Sequence, residues 1–305
     1  MSAAVTAVAS SSELTRGTAS PRVLFLRGES GSGGLGSAVD SHLCDITDAS
    51  TASGNHGWKT LADQLEADGF ELVQRIEGSG VALDVDLADL DTFDVLVLGS
   101  NNGLLAAASD DAVALIDPWV RAGGGLLVIS DANFGATWGD APSADQLALD
   151  EFGLVMNQDL GTYTVDRGDG EFTAAGATHP ILDGVDTFDG EGVSPISLGD
   201  VIPSDTTVTI LAPAQGLIRN NDATGLGSTR SATADDAALL VADVGDGRLV
   251  GHFDRNTFFN ANGAGTDITR FDNATLAINL FRWLADFDGA VIFADGFESG
   301  NTTAW

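Results

Sequence analysis

The chain has 305 residues, of which 45 are Asp or Glu and 13 are Lys or Arg, so its formal charge is -32. Such a charge repels phosphate backbones and anionic lipids, which makes nucleic acid and anionic membranes poor partners. Hydrophobic residues make up 44% of the chain, enough for a large core, and no apolar run approaches the roughly 20 residues of a membrane span. We therefore predict a soluble protein.

The acidic residues are spread over the whole chain rather than clustered. This spread favours a general solvation role, suited to a salty or extracellular setting, over specific cation binding. Cys44 is the single cysteine, so the chain forms no internal disulfide and has too few thiols for a typical zinc–thiolate site. We predict neither a metal nor a cofactor, and the composition does not determine the oligomeric state.

The two ends of the chain differ in composition from its middle. Residues 1–20 are small and polar and lack the basic and apolar regions of a complete signal peptide, so we predict a flexible N-terminal segment. Residues 21–288 carry the apolar segments of one α/β domain, and residues 289–305 form a C-terminal tail.

In chain order, the first half alternates short apolar runs with amphipathic segments. The predicted elements are strands at 22–27, 71–76, 94–98 and 126–130, and helices at 58–68 and 110–121. Continuous apolar strands joined through helices indicate a parallel sheet that is covered on both faces. Right-handed crossovers bring the loops after Arg27, Leu98 and Ser130 to one carboxyl edge, where a ligand is expected.

The second half of the chain is less regular. Its predicted elements are a helix at 146–152, strands and turns at 155–172, a strand at 207–211, a β-hairpin at 238–253 and a closing helix at 272–285. The sequence Gly245-Asp246-Gly247 between two apolar runs provides the turn of the hairpin.

The order of several motifs resembles that of the class I glutamine amidotransferase-like superfamily. The matching segments are DTFDVLVLGSNNG at 91–103, WVRAGGGLLVISD at 119–131, THPILDGV at 178–185, GDGRLVGHFDRNTFFN at 245–260 and NATLAINLFRWL at 273–284. Within the superfamily they are most similar to relatives without amidotransferase activity, namely ThuA-like proteins and GldG-type domains. The resemblance implies a three-layer, flavodoxin-like α/β fold with a mainly parallel sheet.

In the amidotransferases of this superfamily, a nucleophilic cysteine follows the fourth strand and is paired with a His-x-Glu motif. The resemblance places the nucleophile position at Asp131 and the His-x-acid motif at His252 and Asp254. Because no thiol stands at that position, amidotransferase chemistry is excluded. Asp131 then caps a turn or acts as an acid or ligand group in the cleft, and the His252–Asp254 pair makes a structural hydrogen bond or works as an acid/base pair.

Polar residues in the loops of the carboxyl edge are candidate ligand contacts. They are Glu29, Asn101, Asn102 and Asn133. Residues 31–36 also match the G-x-G-x-x-G pattern of nucleotide sites. Three residues separate them from the first strand and the following segment is a poor helix, so a flexible loop is favoured over a nucleotide site.

These observations favour an exported acidic domain that binds a small molecule, a carbohydrate or a protein at the carboxyl edge. Residues 292–300, with the sequence IFADGFESG, and Trp305 resemble a short tail of exported bacterial proteins, which implies an extracellular or periplasmic location. The alternative function is that of a hydrolase or carbohydrate-processing enzyme that uses Asp131, His252 and Asp254.

Overall fold

The computed structural model of the protein describes residues 20–27, 43–76, 87–99, 109–129, 141–157, 161–220, 228–261, 265–287 and 289. The strands in these ranges are β1 (Arg22–Arg27), β2 (Glu71–Ile76), β3 (Val95–Gly99), β4 (Gly125–Ile129), β5 (Leu154–Met156), β6 (Thr162–Asp166), β7 (Thr187–Glu191), β8 (Ile196–Leu198), β9 (Thr206–Pro213), β10 (Leu217–Arg219), β11 (Thr229–Ser231), β12 (Asp236–Val244) and β13 (Gly247–His252). The α-helices are α1 (Lys59–Asp68), α2 (Ser109–Arg121), α3 (Ala141–Asp150) and α4 (Asn273–Ala285). The predicted terminal segments fall outside the described ranges, except for residues 20 and 289.

A nine-stranded sheet forms the centre of the fold. Five of its strands are mutually parallel and follow the order β2-β1-β3-β4-β13. This is the flavodoxin-like order, with β13 in the place of the fifth strand. The predicted α/β architecture with a mainly parallel central sheet is thus confirmed.

Antiparallel strands extend the sheet beyond β13. β12 pairs with β13 on one side and with β9 on the other, and β8 connects β12 to β5. The hairpin between β12 and β13 turns at Gly245 and Asp246, as predicted. β6 with β7 and β10 with β11 form two small antiparallel sheets.

Helices cover both faces of the central sheet, so the fold has three layers. Leu61 of α1 and Leu276 of α4 pack in the cluster on one face, and Ile116 of α2 and Leu149 of α3 pack in the cluster on the other. Successive side chains of β1 enter the two clusters alternately, because both faces of a covered parallel strand are apolar. Each such fully buried aliphatic side chain contributes about 1.5–3 kcal/mol of transfer free energy.

The helix boundaries follow local sequence signals closely in three cases. α1, α2 and α4 begin or end within one residue of the predicted segments. α1 stops at Gly69, which adopts the left-handed conformation with φ of 106° that glycine allows. α3 begins at Ala141, earlier than the predicted residue 146, and ends at Asp150. None of the helices in the described ranges combines the length and apolar character of a bilayer span.

Candidate functional site

The carboxyl ends of the parallel strands form one edge of the sheet. β1, β3, β4 and β13 end there at Arg27, Gly99, Ile129 and His252, and Ile129 lies directly beside His252 in the sheet. β2 pairs with one side of β1 and β3 pairs with the other side. The chain therefore adds its next strands in opposite directions from β1. Open α/β sheets bind ligands at such a switch point, outside the carboxyl ends of the strands.

An ion pair between a buried arginine and a partly buried aspartate holds the loop that borders the end of β1. Arg27 is 3% exposed, and its Nη1 donates to Asp45 Oδ2 at 2.6 Å. Burial alone would raise the pKa of Asp45, but hydrogen bonds from Thr47 and Gln74 and the charge of Arg27 together lower it. Asp45 is therefore ionised at neutral pH, and the loop is fixed to both β1 and β2.

Cys44 lies beside the end of β3. Its Sγ is within 3.6 Å of the point where a Cβ on Gly99 would stand, next to the indole of Trp58. The thiol is 2% exposed, and the backbone of Cys44 is left-handed with φ of 52°. Because nucleophilic cysteines need an accessible thiolate, this position suits packing rather than covalent chemistry.

His252 is the last residue of β13 and is completely buried. Its ring packs among Phe188, Phe253 and Phe258, with centroid distances of 5.1 to 6.1 Å. Burial lowers the pKa of His252 to about 3, so the imidazole is neutral at physiological pH. Its Nε2 has no hydrogen-bond partner in the described structure.

The carboxylate of Asp254 is bound to main-chain groups. It accepts hydrogen bonds from the N–H of Glu191 at 2.6 Å and from the N–H of Asn256 at 3.0 Å. The contact that joins Asp254 to His252 runs from the Asp254 main-chain N–H to the imidazole Nδ1, at 3.2 Å. Of the two interpretations of this pair, the geometry agrees with the structural hydrogen bond at a strand end.

The other predicted site residues lie outside the described ranges. They are Glu29, Asn101, Asn102, Asp131 and Asn133. Each belongs to a segment that follows a strand ending at the carboxyl edge, after β1, β3 or β4. The ends of these strands lie side by side, as predicted. Of the seven predicted site residues, His252 and Asp254 lie within the described ranges.

A buried polar cluster next to Asp254 was not predicted from the sequence. Asp189 of β7 is fully buried, and its Oδ1 accepts from Asn273 Nδ2 at 2.8 Å. Nε of Arg270 lies 2.9 Å from Asp189 Oδ2 but is not aligned for a hydrogen bond, so this contact is an ion pair alone. Burial raises the pKa of Asp189. The hydrogen bond from Asn273 and the charge of Arg270 act to lower this pKa, but the net shift is still upward.

Two surface grooves of the described structure involve the helices. A groove of about 540 Å³ runs between α2 and α3 and includes Pro118 and Leu147. A second groove, of about 490 Å³, includes Arg248 and Trp283 at the amino end of β13. The described residues contain no group of three His, Cys, Asp or Glu side chains placed to hold a metal ion.

No protein-family model matches the sequence, and none of the curated proteins is significantly similar to it. The solved structures that match the chain include two from Salmonella typhimurium. Cytoplasmic Protein STM3548 from Salmonella typhimurium has 16% identity and a TM-score of 0.47, with 86% of this chain and 98% of that chain covered. Cytoplasmic Protein STM1381 from Salmonella typhimurium LT2 has 15% identity and a TM-score of 0.43, with 87% and 96% covered. At these values the likeness identifies neither a family nor a function.

Proposed function

We propose that this chain is an exported, acidic domain of the class I glutamine amidotransferase-like type that lacks amidotransferase activity. It binds a small molecule, a carbohydrate or a protein at the carboxyl edge of the sheet. The observation that carries this proposal is the parallel strand order β2-β1-β3-β4-β13, which brings five carboxyl ends to one edge, with the switch point at β1.

Two features of the described edge support binding rather than catalysis. Cys44, the single thiol, is buried beside β3 and is not exposed as a nucleophile must be. His252 is neutral and enclosed by phenylalanines, and the Asp254 carboxylate orders two main-chain N–H groups. The pKa of His252 lies far below the operating pH, so its imidazole is a poor acid/base catalyst. The hydrogen bond that His252 Nδ1 accepts comes from the main-chain N–H of Asp254 and not from its side chain.

A binding screen tests the proposal. Thermal shift of the full chain against mono- and oligosaccharides and neutral small molecules is expected to identify a stabilising ligand, because a ligand that binds only the folded state raises its stability. The double variant Asn101→Ala/Asn102→Ala is expected to lose this shift. The matched control, Asp246→Ala at the opposite edge of the sheet, is expected to retain it, and equal loss in both variants contradicts the proposal.

One observation favours a hydrolase as the second candidate. The Nε2 atom of His252 has no partner in the described structure, and Ile129, which lies beside His252, precedes Asp131 by two residues in the sequence. A catalytic Asp131–His252 pair requires the two side chains to come within hydrogen-bond reach of each other. Hydrolysis of an ester, amide or glycoside panel that is abolished by Asp131→Ala would establish this candidate and reject the first.

A further inference from the structure

The hydrogen bond at His252 determines which nitrogen of its ring carries the proton. Nδ1 accepts from the main-chain N–H of Asp254 at 3.2 Å, and a ring nitrogen that accepts a hydrogen bond has no proton of its own. The neutral imidazole has one proton, which is therefore on Nε2. A catalytic imidazole that is oriented by a carboxylate has the opposite tautomer, in which Nδ1 donates and Nε2 takes up the proton of the substrate. His252 thus presents a donor, and not a base, at Nε2.

The Nε2–H donor of His252 has no acceptor in the part of the chain that the structure describes, although the side chain is completely buried. The surrounding rings of Phe188, Phe253 and Phe258 have no oxygen or nitrogen to offer. Native proteins seldom leave a buried N–H group without an acceptor, because the group has given up its hydrogen bond to water. The free donor is therefore evidence for a group that is bound at this position.

A second buried donor lies close to the first. The side chain of Trp58 is almost completely buried, and its Nε1–H also lacks a hydrogen-bond partner among the described residues. Phe258 contacts both rings, with centroid distances of 6.2 Å to Trp58 and 5.2 Å to His252. We refer to Trp58, Phe258 and His252 as the aromatic layer, which contains two N–H donors and no matching acceptor.

The aromatic layer lies at the carboxyl ends of adjacent strands. Gly99, Ile129 and His252 are the last residues of β3, β4 and β13, and they are neighbours in the sheet. The indole of Trp58 packs on Gly99, where an added Cβ would be 3.2 Å from its Cη2. Both donors therefore belong to the edge at which open α/β sheets bind ligands.

We infer that the aromatic layer binds neutral acceptor oxygens, to which His252 Nε2–H and Trp58 Nε1–H donate. An anionic acceptor is disfavoured by the charge of -32 on the chain. The oxygen comes from a hydroxyl or carbonyl group of the ligand or from an enclosed water molecule, which offers the same acceptor. The ligand as the source rests on the proposed function, whereas the tautomer and the enclosed water do not.

Nitrogen-15 NMR of the full chain, labelled at histidine, tests the tautomer. His252 is expected to show a protonated Nε2 and an unprotonated Nδ1, and through-space contacts to the rings of Phe188 and Phe258 assign its signals without a variant. His179 is the matched internal control, because its Nδ1 also accepts from a main-chain N–H, that of Ile181, but its ring is only partly buried. The Nε2 proton is expected to exchange slowly with solvent in His252 and rapidly in His179. A proton on Nδ1 of His252 overturns the inference.

The position of the Nε2 proton signal then tests for the acceptor. A hydrogen-bonded imidazole proton resonates downfield of an unbonded one, so a downfield signal is expected for His252, and the indole proton of Trp58 is expected to behave in the same way. A cross-peak to water identifies enclosed water as the source. A shift that saturates with added D-glucose or N-acetyl-D-glucosamine identifies a ligand oxygen. An unbonded signal that neither sugar changes overturns the inference, while the proposed function can still hold with contacts elsewhere on the edge.

A substitution separates this site from the hydrolase alternative. Asp131→Ala is expected to leave the Nε2 proton signal of His252 unchanged, as is the matched control Asp246→Ala at the opposite edge of the sheet. A signal that moves in Asp131→Ala alone shows that the Asp131 carboxylate is the acceptor, and it overturns the inference.

Discussion

His252 is the residue whose burial most clearly limits the chemistry of the carboxyl edge. Its ring is enclosed by phenylalanines, and burial lowers its pKa from 6.5 to about 3. The folded state therefore binds a proton less readily than the unfolded state. The contribution to stability is complete above pH 6.5 and is lost as the pH falls toward 3.

This linkage predicts a specific acid sensitivity. Between pH 6.5 and about pH 4, His252 is expected to remove up to about 3 kcal/mol from the free energy of unfolding. In His252→Gln, which does not titrate, chemical denaturation at several pH values is expected to give a smaller decrease over this range. Parallel pH profiles for the wild type and the variant would contradict the neutral, buried state of the imidazole.

Two buried aspartates have opposite electrostatic environments. Asp189 and Asp236 are at most 1% exposed. Burial raises the pKa of Asp189. Burial also acts to raise the pKa of Asp236, but hydrogen bonds from Arg230, Ser197 and Thr233 outweigh it and lower the pKa. Arg230 binds this carboxylate through both nitrogens, at 2.6 and 2.7 Å.

The two aspartates therefore form a matched pair for mutation to asparagine. Asp189→Asn is expected to change the free energy of unfolding at pH 7 by no more than about 1 kcal/mol, because the site disfavours the charge and the amide keeps the bond from Asn273. Asp236→Asn is expected to destabilise by at least about 2 kcal/mol, since it leaves Arg230 without its carboxylate. Urea denaturation of both variants measures the difference, and similar losses in the two would show that these environments are wrongly described.

At the level of elements, the hairpin between β12 and β13 positions His252 by packing against the end of α2. The N–H of Asp246 donates to Arg121 O at 3.0 Å, and the N–H of Arg248 donates to Gly124 O at 3.1 Å. A Cβ on Gly247 would overlap the carbonyl oxygen of Val120. Glycine is needed at this position because two backbones approach closely.

Gly247→Ala is expected to lower the free energy of unfolding by about 2 kcal/mol or more, since backbone atoms must shift to admit the methyl group. Gly168→Ala serves as the control. A Cβ there meets one side-chain atom, Oδ1 of Asp166 at 2.9 Å, and no main-chain atom, so the expected loss is within about 1 kcal/mol. Thermal melts of the two variants provide the comparison, and equal stability would remove the close-packing argument.

The elements that could be predicted from the sequence are those with a strong local pattern. β1, β3 and β4 are short apolar runs, and the β12–β13 turn has its Gly-Asp-Gly signal. β7 could not be predicted, because its sequence TFDGE includes two acids and a glycine. It is a strand because it pairs with β6 and because the N–H of Asp189 donates to Asn273, 84 residues later. The parallel pairing of β13 with β4 likewise depends on tertiary contacts.

The candidate site was predictable in its place but not in its contacts. The loop positions after β1, β3 and β4 followed from the strand order alone. His252, the first member of the His-x-acid motif, is the last residue of β13, and Asp254 lies two residues beyond the strand. The spacing of the motif did not reveal that the Asp254 carboxylate binds the N–H groups of Glu191 and Asn256, since Glu191 is 63 residues away in sequence.

On the scale of the whole molecule, the charge of -32 opposes the compact state. Among the described residues, the buried acids are Asp189, Asp236, Asp254 and Asp267. The chain has 13 basic residues against 45 acidic ones. The free energy of unfolding and the melting temperature are therefore expected to rise from low to high NaCl, because salt screens the repulsion. A melting temperature that stays flat or falls over this range would contradict the electrostatic account.

The central claim is that the ligand binds at the carboxyl edge of the parallel strands. Hydrogen–deuterium exchange of the full chain, with and without the ligand that gives the largest thermal shift, tests it most directly. The account predicts that the ligand slows exchange in the segments that follow β1, β3 and β4, at residues 28–42, 100–108 and 130–140. Slowed exchange confined to the groove of Arg248 and Trp283, or to the groove between α2 and α3, would contradict it.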